Sequence, residues 1–457
     1  MPTQKPYQPM PILGDPDFLF EKPRHIVPKY ARPDANIKAN KDLELVVGFL
    51  KRYVSNTRTL ATYRSELERL MHWSWHVKKQ SLLDHDENDL VDYLEFSKAP
   101  PRHWIGTAPV KRFIEPKPGK LAPNPDWRPY VAKLRKKELT DRHAALKATV
   151  DSGIKRPGPE ISDHKPTPAT LIASRRVLSA LYKHLLAKEC VTKDYVKLMP
   201  QTKDITGVDQ TASQVMLLTT TQWKFVIDFA TELADKATTK QRQHERTLFV
   251  MTILFLMYLR ISELVWDDLS EPVMSDFFQD SDGDWWLNVF GKGDKPRKIA
   301  VSDEMLEALS RYRLSRNLSP YPSRSENDIP LLGVIRDDSV RYKEKPYYRD
   351  LRKRTEWYKY GPVTSTRAVR KMVQNHFDYS FNKMLCMKQL KAHEAESLKE
   401  ATVHWLRHTG ISVDVKYRDP RHVQLDAGHA SMATTNRYVD IEDKARHESA
   451  RTKGVRS

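Results

Sequence analysis

Four short clusters in the second half of the 457-residue sequence carry side chains that could act on a phosphate group. Arg260 ends a long apolar stretch, where a guanidinium is costly unless an anion or a carboxylate meets it. Taken alone, Arg260 is most simply interpreted as the structural ion-pair partner of Glu263. Lys292 lies between Gly291 and Gly293, which would let a turn approach a ligand closely. An ordinary solvated turn lysine is the alternative, and three cations soon after it leave the choice of lysine open: Lys295, Arg297 and Lys298.

The third cluster is the run HWLRHT at 404–409. On a helix, His404, Arg407 and His408 would share one face, because residues three and four apart are neighbours there. Two histidines at this spacing can bind zinc, but no HExxH glutamate and no cysteine partner accompanies them, so a metal is not expected. Three cationic or hydrogen-bonding groups on one face suit a phosphate better.

The fourth cluster joins Gly428 and His429 to Tyr438. A tyrosine near a C-terminus is most often a packing residue, and its phenol, with a pKa of about 10, is a poor nucleophile at neutral pH. Several nearby cations would favour the phenolate and a developing phosphorane. The arginines, the lysine and two imidazoles of the four clusters would supply such a field.

A helical framework with one hairpin is predicted to position these clusters. Apolar residues dominate 246–266, which predicts a largely buried helix ending in the Arg260 motif. Two β-favouring runs, 285–290 and 297–301, flank the two-glycine segment around Lys292 and predict a β-hairpin. Helices are predicted for most of the remainder after Asp303. The second domain is therefore expected to be α+β, mainly helical with one small sheet.

The first half of the chain is predicted to be an all-α domain. Apolar residues recur at helical spacing between 42 and 96, and a hydroxyl followed by proline at Thr167-Pro168 predicts the start of another helix. The expected organisation is a proline-rich arm at 1–40, a helical domain at 41–199 with an insertion at about 100–165, a linker at 200–213, a second domain at 214–445 and a basic tail at 446–457. A basic helix is predicted inside the insertion, over 130–149.

Composition limits the class of partner. The net charge is +18 and hydrophobic residues make up 39% of the chain, which favours folded domains with a polyanionic partner. Charge alone does not separate DNA, RNA and anionic lipid. The longest apolar run has about a dozen residues, against roughly 20 needed to cross a bilayer. Two cysteines, Cys190 and Cys386, support neither a disulfide framework nor a cysteine zinc site, so a reducing cell interior is expected.

The order of the clusters resembles the tyrosine recombinase, or phage integrase, family. LRISEL at 259–264 matches LRxSEL, GKGDKPR at 291–297 matches GKGxKxR, HWLRHT at 404–409 matches HxLRHT, and TTNRY at 434–438 matches TTxxY. The family's LGH reads AGH at 427–429, and Tyr258 replaces a glycine that often precedes LR. The resemblance covers about 210–445, and 42–195 looks like the family's core-binding domain.

The resemblance implies a site-specific recombinase that cuts and rejoins double-stranded DNA for integration, excision or resolution of a DNA element. Tyr438 would attack the phosphodiester and form a 3′-phosphotyrosine, while Arg260 and Arg407 hold the nonbridging oxygens. No metal and no cofactor is implied. The alternatives are a DNA-binding architectural or regulatory protein without chemistry and a type IB topoisomerase-like relaxing enzyme.

The resemblance also assigns the remaining site residues and the assembly. His429 would donate a hydrogen bond to the phosphate, Lys292 would protonate the leaving 5′-oxygen, and His404 would assist proton transfer from the phenol. A two-domain DNA clamp is implied, acting as a synaptic tetramer with a place for accessory proteins. The expected location is the cytoplasm, at the nucleoid, with no membrane partner.

Overall fold

The computed structural model describes residues 6–14, 27–117, 120–134, 138–139, 141–142, 158–200, 216–236, 240–267, 270–290, 296–335, 361–387, 395, 398–439 and 451. The chain forms two compact units, Met1–Thr211 and Ala212–Ser457. The boundary between the units falls within the predicted linker, most of which lies outside the described residues.

Helices build most of the first unit, and local signals set where they begin. Asn56 and Thr167 accept hydrogen bonds from first-turn amides, and Asp86 forms a reciprocal capping box with Asp89. The regular elements are α1 (Ala39–Leu50), α2 (Thr57–Trp73), α3 (Glu87–Lys98), β1 (Ile105–Gly106), β2 (Phe113–Lys117), β3 (Lys120–Pro123), β4 (Tyr130–Val131), α4 (Pro168–Ala187) and α5 (Tyr195–Leu198).

Part of the proline-rich N-terminal segment packs into this unit. Leu13 is fully buried in the same hydrophobic core as α1, α2, α3 and α4. The buried carboxylate of Glu68, on α2, accepts hydrogen bonds from the backbone amides of Ile12 at 2.6 Å and Leu13 at 2.9 Å and pairs with Arg112. Since proline-rich chain has few partners for its own amides, a carboxylate supplied by the helices satisfies them.

A second buried carboxylate fastens the end of α2 to α1. Asp42, on α1, accepts hydrogen bonds from the Trp75 indole at 2.8 Å, the Ser81 hydroxyl at 2.6 Å and the Leu82 amide at 3.1 Å. Burial raises the pKa of Asp42, and these three donors oppose that effect.

The predicted insertion contains short strands. β1 pairs with β4 in parallel, with Ile105 opposite Tyr130, and β2 pairs with β3 in an antiparallel hairpin. The helix predicted over 130–149 is wrong at its start, because the buried Tyr130 side chain contacts Ser97 while its backbone pairs with β1. Residues 143–149 of that prediction lie outside the described residues.

The second unit surrounds one three-stranded antiparallel sheet with helices. The order β5-β6-β7 and the pairing of Leu287 with Ile299 confirm the predicted hairpin, whose connecting residues 291–295 lie outside the described residues. The elements are α6 (Thr220–Asp235), α7 (Gln241–Leu256), β5 (Phe277–Gln279), β6 (Trp285–Phe290), β7 (Pro296–Ala300), α8 (Asp303–Ser315), α9 (Thr366–Met387), α10 (Val403–Asp414), α11 (Pro420–Ala427) and α12 (Met432–Val439). The predicted fold class, mainly α with small sheets, is confirmed.

Helix α7 is the centre of this unit's core, with Val250 and Ile253 fully buried. It ends at Leu256, ten residues before the predicted end at 266, because Tyr258 takes a left-handed conformation with a φ of 49°. A 3₁₀ turn, Ile261–Leu264, follows. Among the described residues, no helix combines the length and the apolarity needed to cross a membrane.

Candidate active site

A close backbone approach places α10 against the end of α7. A Cβ atom on Gly410 would overlap the carbonyl oxygen of Phe255, so only glycine fits there. The cations of the HWLRHT run therefore lie next to the turn that carries Arg260. As the spacing predicted, these three side chains lie on one face of α10. Their exposure to solvent differs: Arg407 is buried, His408 is half-buried and His404 is exposed.

Arg407 is held by two backbone carbonyls. Its Nη1 donates to the carbonyl oxygen of Tyr258, and its Nη2 donates to that of Ala427 at 2.6 Å. The side chain is only 5% exposed, and burial together with the nearby Arg260 guanidinium lowers the pKa of Arg407 to about 10. The positive charge of Arg407 is therefore less stable in the folded chain than in water. An anion bound beside it would stabilise that charge.

Arg260 begins the 3₁₀ turn after α7 and is more open to solvent. Its backbone amide donates to Glu263 at 2.8 Å, and its Nη1 donates to the same carboxylate at 3.1 Å. Nη2 is 3.4 Å from the carbonyl oxygen of Gly428. The structural pairing with Glu263 considered from sequence is thus present, and the guanidinium remains 35% exposed.

A third arginine, Arg297, completes the group and was not assigned a role from the sequence. Both of its terminal nitrogens donate to Glu263 at 2.8 Å, and its Nε donates to the carbonyl oxygen of Asp426 at 3.0 Å. Burial would raise the pKa of Glu263, but the hydrogen bonds and charge of Arg297, and those of Arg260, outweigh it and lower the pKa. The signal was available, since Arg297 is the final residue of the GKGxKxR match.

Three consecutive carbonyl oxygens, at residues 426–428, each accept from one of these arginines. They lie at the C-terminal end of α11, where carbonyls lack helical partners and carry partial negative charge. Gly428 closes the helix with a φ of 62°, and Arg297 packs so closely on it that a Cβ there would lie 3.0 Å from the Arg297 side chain. Each of the three guanidiniums is therefore positioned by a backbone carbonyl. Among the described residues, only one carboxylate, that of Glu263, pairs with them, and Arg260 and Arg297 share it.

Tyr438, on α12, lies beside two histidines. Its hydroxyl oxygen is 2.6 Å from Nδ1 of His408, and its ring stacks on that of His429 with centroids 6.0 Å apart. Nδ1 of His429 is in turn 3.0 Å from the Thr435 hydroxyl. At 6% exposure the tyrosine is buried, and it contacts the side of α10 that carries His408.

The imidazoles of the site are poor proton binders in the folded chain. Burial and nearby positive groups lower the pKa of His408 and of His429 to about 4. The pKa of His404 is also lowered, because its ring packs partly against protein and Arg407 and Arg370 lie near it. At neutral pH these rings are therefore uncharged and can accept hydrogen bonds. The hydroxyl of Tyr438 thus contacts an uncharged nitrogen of His408 and not a cation.

The structure brings four of the six predicted site residues together: Arg260, Arg407, His429 and Tyr438. His404 is on the same helix as Arg407, but its ring neighbours that of His408, with centroids 6.2 Å apart. Lys292 lies outside the described residues. Of its neighbours, Lys298 lies over the Trp286 ring at 3.7 Å, which engages that ammonium in the sheet.

Tyr258 occupies the position where the resemblance expects glycine. Its ring is buried, and its hydroxyl bonds to Asp414 on α10 and accepts from Arg418 at 3.0 Å. Arg418 also pairs with Asp426 at 2.6 Å. Burial and the Asp414 carboxylate raise the pKa of Tyr258. A buried tyrosine whose hydroxyl is bonded to two side chains thus maintains a turn that glycine would form without strain.

Comparison with known sequences identifies what the chain is related to. No protein-family model matches it. Tyrosine recombinase XerC of Caldanaerobacter subterraneus subsp. tengcongensis is 25% identical over 210 residues, 45% of this chain and 44% of that protein. This chain is similar in sequence to tyrosine recombinases. The tyrosine recombinase XerC of Pelobacter propionicus is 24% identical over 235 residues, 50% of this chain and 60% of that protein. The chain spans about half the length of the curated relatives it matches.

Solved structures of a site-specific recombinase and of an integrase are also similar to this chain. The XerH site-specific recombinase in a post-cleavage complex with palindromic difH substrate has a TM-score of 0.49 and 15% identity, covering 92% of this chain and 90% of that one. A lambda integrase dimer bound to a COC′ core site has a TM-score of 0.44 and 12% identity, covering 89% of this chain and 80% of that one.

Proposed function

We propose that this protein is a site-specific DNA recombinase that cuts and rejoins double-stranded DNA through a 3′-phosphotyrosine. The observation that carries the proposal is the position of Tyr438, whose hydroxyl meets His408, the residue next to the carbonyl-held Arg407. The curated relatives, both tyrosine recombinases, support the same reaction class.

Cleavage on this site is a transesterification. The Tyr438 oxygen bonds to phosphorus while the bond to the 5′-oxygen breaks, so the phosphodiester energy is kept in the protein–DNA link. Arg260 and Arg407 hold the nonbridging oxygens, because guanidinium donors fit phosphate geometry and each has N–H groups beyond those used on carbonyls. A 5′-hydroxyl from a partner duplex then reverses the step and completes strand exchange.

The remaining roles follow the family resemblance. His429, whose Nδ1 is placed by Thr435, donates from its other nitrogen to the phosphate. Lys292 protonates the leaving 5′-oxygen, and His404, exposed at the start of α10, assists proton transfer where the duplex would lie. Integration, excision and resolution all use these steps.

The DNA partner is supported by the net charge of +18, which favours phosphate contacts and salt-dependent binding. In this proposal 41–199 is the core-binding domain, 214–445 is the catalytic domain, and the two close on a duplex as a clamp. Two DNA sites are joined in a synaptic tetramer, accessory proteins regulate it, and the protein works at the nucleoid.

Covalent trapping tests the proposal. Duplexes with a nick just 3′ of the cut lose a short fragment after cleavage, which traps the phosphotyrosine as a detergent-resistant adduct. Purified protein should form this adduct on DNA from its own element, and Tyr438→Phe should abolish it while DNA binding remains. Tyr417→Phe is the matched control, since Tyr417 is 83% exposed and should form the adduct normally.

The same assay separates the alternatives. DNA binding with no adduct under any condition would favour the architectural protein. An adduct accompanied by relaxation of supercoiled plasmid that lacks paired sites would favour the topoisomerase-like enzyme. An adduct that survives in Tyr438→Phe would remove Tyr438 from its role.

A further inference from the structure

We propose that His408 is the general base that takes the phenolic proton of Tyr438 during cleavage, on the strength of the 2.6 Å contact between its Nδ1 and the tyrosine oxygen. This inference rests on the proposed function and replaces His404 in the proton-transfer step. A general base must lie within hydrogen-bond reach of the proton that it removes, and His408 meets that requirement.

The proton transfers of this step balance. In the tautomer required, His408 carries its proton on Nε2 and accepts the phenolic proton at Nδ1, becoming an imidazolium as the oxygen–phosphorus bond forms. The phosphorus–5′-oxygen bond breaks at the same time, and the leaving oxygen receives its proton from Lys292 of the proposed mechanism. Religation reverses each transfer, so His408 returns the proton to the phenol.

The two other imidazoles are less suitable for this step. His404 is exposed one turn earlier on α10, and its ring faces that of His408. The Nδ1 of His429 is occupied by Thr435, and its ring lies nearly parallel to that of Tyr438, at an interplanar angle of 8°. A stacked ring supports the tyrosine from its face, whereas His408 contacts the hydroxyl.

The surroundings of His408 keep it neutral before DNA binds. The charged or titratable groups facing it are His404 and Arg407 on its own helix, Tyr438 on α12 and His429 in the preceding turn. Burial, followed by His404 and Arg407, lowers its pKa to about 4. A bound phosphodiester brings negative charge beside Arg407 and Arg260, which raises the pKa of His408 toward the range useful for a base.

Three variants test the assignment under single-turnover conditions on the nicked duplex. His408→Ala removes the base. His408→Asn keeps a hydrogen-bond acceptor near the position of Nδ1 but cannot take the proton. His404→Ala is the matched histidine one turn away. We expect about a 100-fold loss of cleavage rate for both His408 variants and a smaller loss for His404→Ala.

The pH profile distinguishes a base from a positioning residue. Wild-type cleavage should vary little between pH 6 and 8, because His408 is already neutral. Without it, the rate should rise about tenfold per pH unit, following the phenolate fraction. Fluorinated tyrosine at position 438, whose phenol ionises at lower pH, should restore much of the His408→Ala rate and little of the His404→Ala rate.

The outcomes separate this inference from the proposed function. A His408→Asn variant that cleaves at the wild-type rate would overturn the base assignment, as would His408→Ala with an unchanged pH profile and no gain from fluorotyrosine. In both cases the wild-type adduct stands. If the wild-type protein forms no adduct, the proposed function itself fails. Circular dichroism and DNA binding establish that each variant is folded.

Discussion

A pair of buried carboxylates in the first unit and a group of three arginines in the second hold their charges in different ways. In the first, the carboxylates of Asp42 and Glu68 are fully buried and accept donors from distant segments of the same chain. In the second, the buried or half-buried guanidiniums of Arg407, Arg297 and Arg260 converge on the carbonyl end of one helix.

The difference shows what each arrangement can do. A buried carboxylate whose oxygens already accept from amide, hydroxyl or indole groups of the same chain cannot bind a ligand as well. Its role is therefore to stabilise the fold. A guanidinium held on carbonyl dipoles is fixed in place but keeps its charge and spare N–H donors. The lowered pKa of Arg407 indicates that the folded chain gives up stability to hold that charge ready.

Replacing Arg407 should have the largest effect and gives the sharpest test of this contrast. Arg407→Gln keeps one carbonyl contact and removes the charge, so adduct formation should fall about 10³-fold, about 4 kcal/mol. The unfolding free energy should stay the same or rise, since a disfavoured buried charge is gone. Single-turnover cleavage at saturating DNA and urea unfolding measure the two effects. A large loss of stability would make Arg407 a structural residue like Glu68.

Glu68→Ala should produce the reverse pattern in the first unit. It removes the acceptor of the Ile12 and Leu13 amides and the carboxylate that pairs with Arg112, so the unfolding free energy should drop by about 3 kcal/mol. Urea unfolding measures it, with Glu44→Ala as the control, because the exposed pair of Glu44 with Lys41 should be worth under about 1 kcal/mol. Equal effects of the two variants would contradict the fastening role of Glu68.

A pH dependence should follow from the buried histidines of the first unit. Burial lowers the pKa of His72 to about 3 and of His85 to about 4, so the unfolded chain binds more protons below about pH 6.5. Stability is therefore unchanged above that pH and is lost as pH falls through 6 and 5, by about 2 kcal/mol per histidine at pH 5. Hydrogen exchange of α2 at pH 7.5 and 5, corrected for intrinsic rates, measures it. Equal protection of the α2 amides from hydrogen exchange at both pH values would contradict this prediction.

The smallest effect is expected for Tyr258→Phe. Its hydroxyl joins Asp414 and Arg418, which also lie 3.5 Å from each other, so losing it should cost about 1 kcal/mol. The Arg407 contact uses the backbone of Tyr258 and survives, and cleavage should fall only a few-fold. Urea unfolding and the adduct assay measure both. A drop as deep as that of Arg407→Gln would mean that the tyrosine hydroxyl, through Asp414 and Arg418, is needed to position Arg407 on the carbonyls of residues 258 and 427.

Local signals allowed the sequence to predict much of the site. The i, i+3, i+4 spacing of His404, Arg407 and His408 placed them on one helical face, and β-favouring runs around two glycines defined the hairpin. Capping residues such as Thr167 predicted where helices begin, because their hydrogen bonds lie within one turn.

The errors arise where distant residues decide. A tyrosine with a positive φ ends α7, since contacts from α10 and its following turn hold it, and no local pattern shows that. From the sequence, Arg297 was only the last residue of the GKGxKxR match and had no assigned role. Its partner Glu263 is 34 residues away, so no local pattern links the two. The contact of His408 with Tyr438 joins two helices 30 residues apart, which periodicity within either helix does not reveal.

The docked segment 6–14 has a practical consequence for anyone expressing the gene. A vector designed to start at the first long helix would discard Ile12 and Leu13, which would expose the apolar surface that buries Leu13 and remove two of the donors to Glu68 on α2. Such a shortened polypeptide should accumulate in inclusion bodies, whereas a polypeptide that keeps residues 6–14 should be recovered in soluble form.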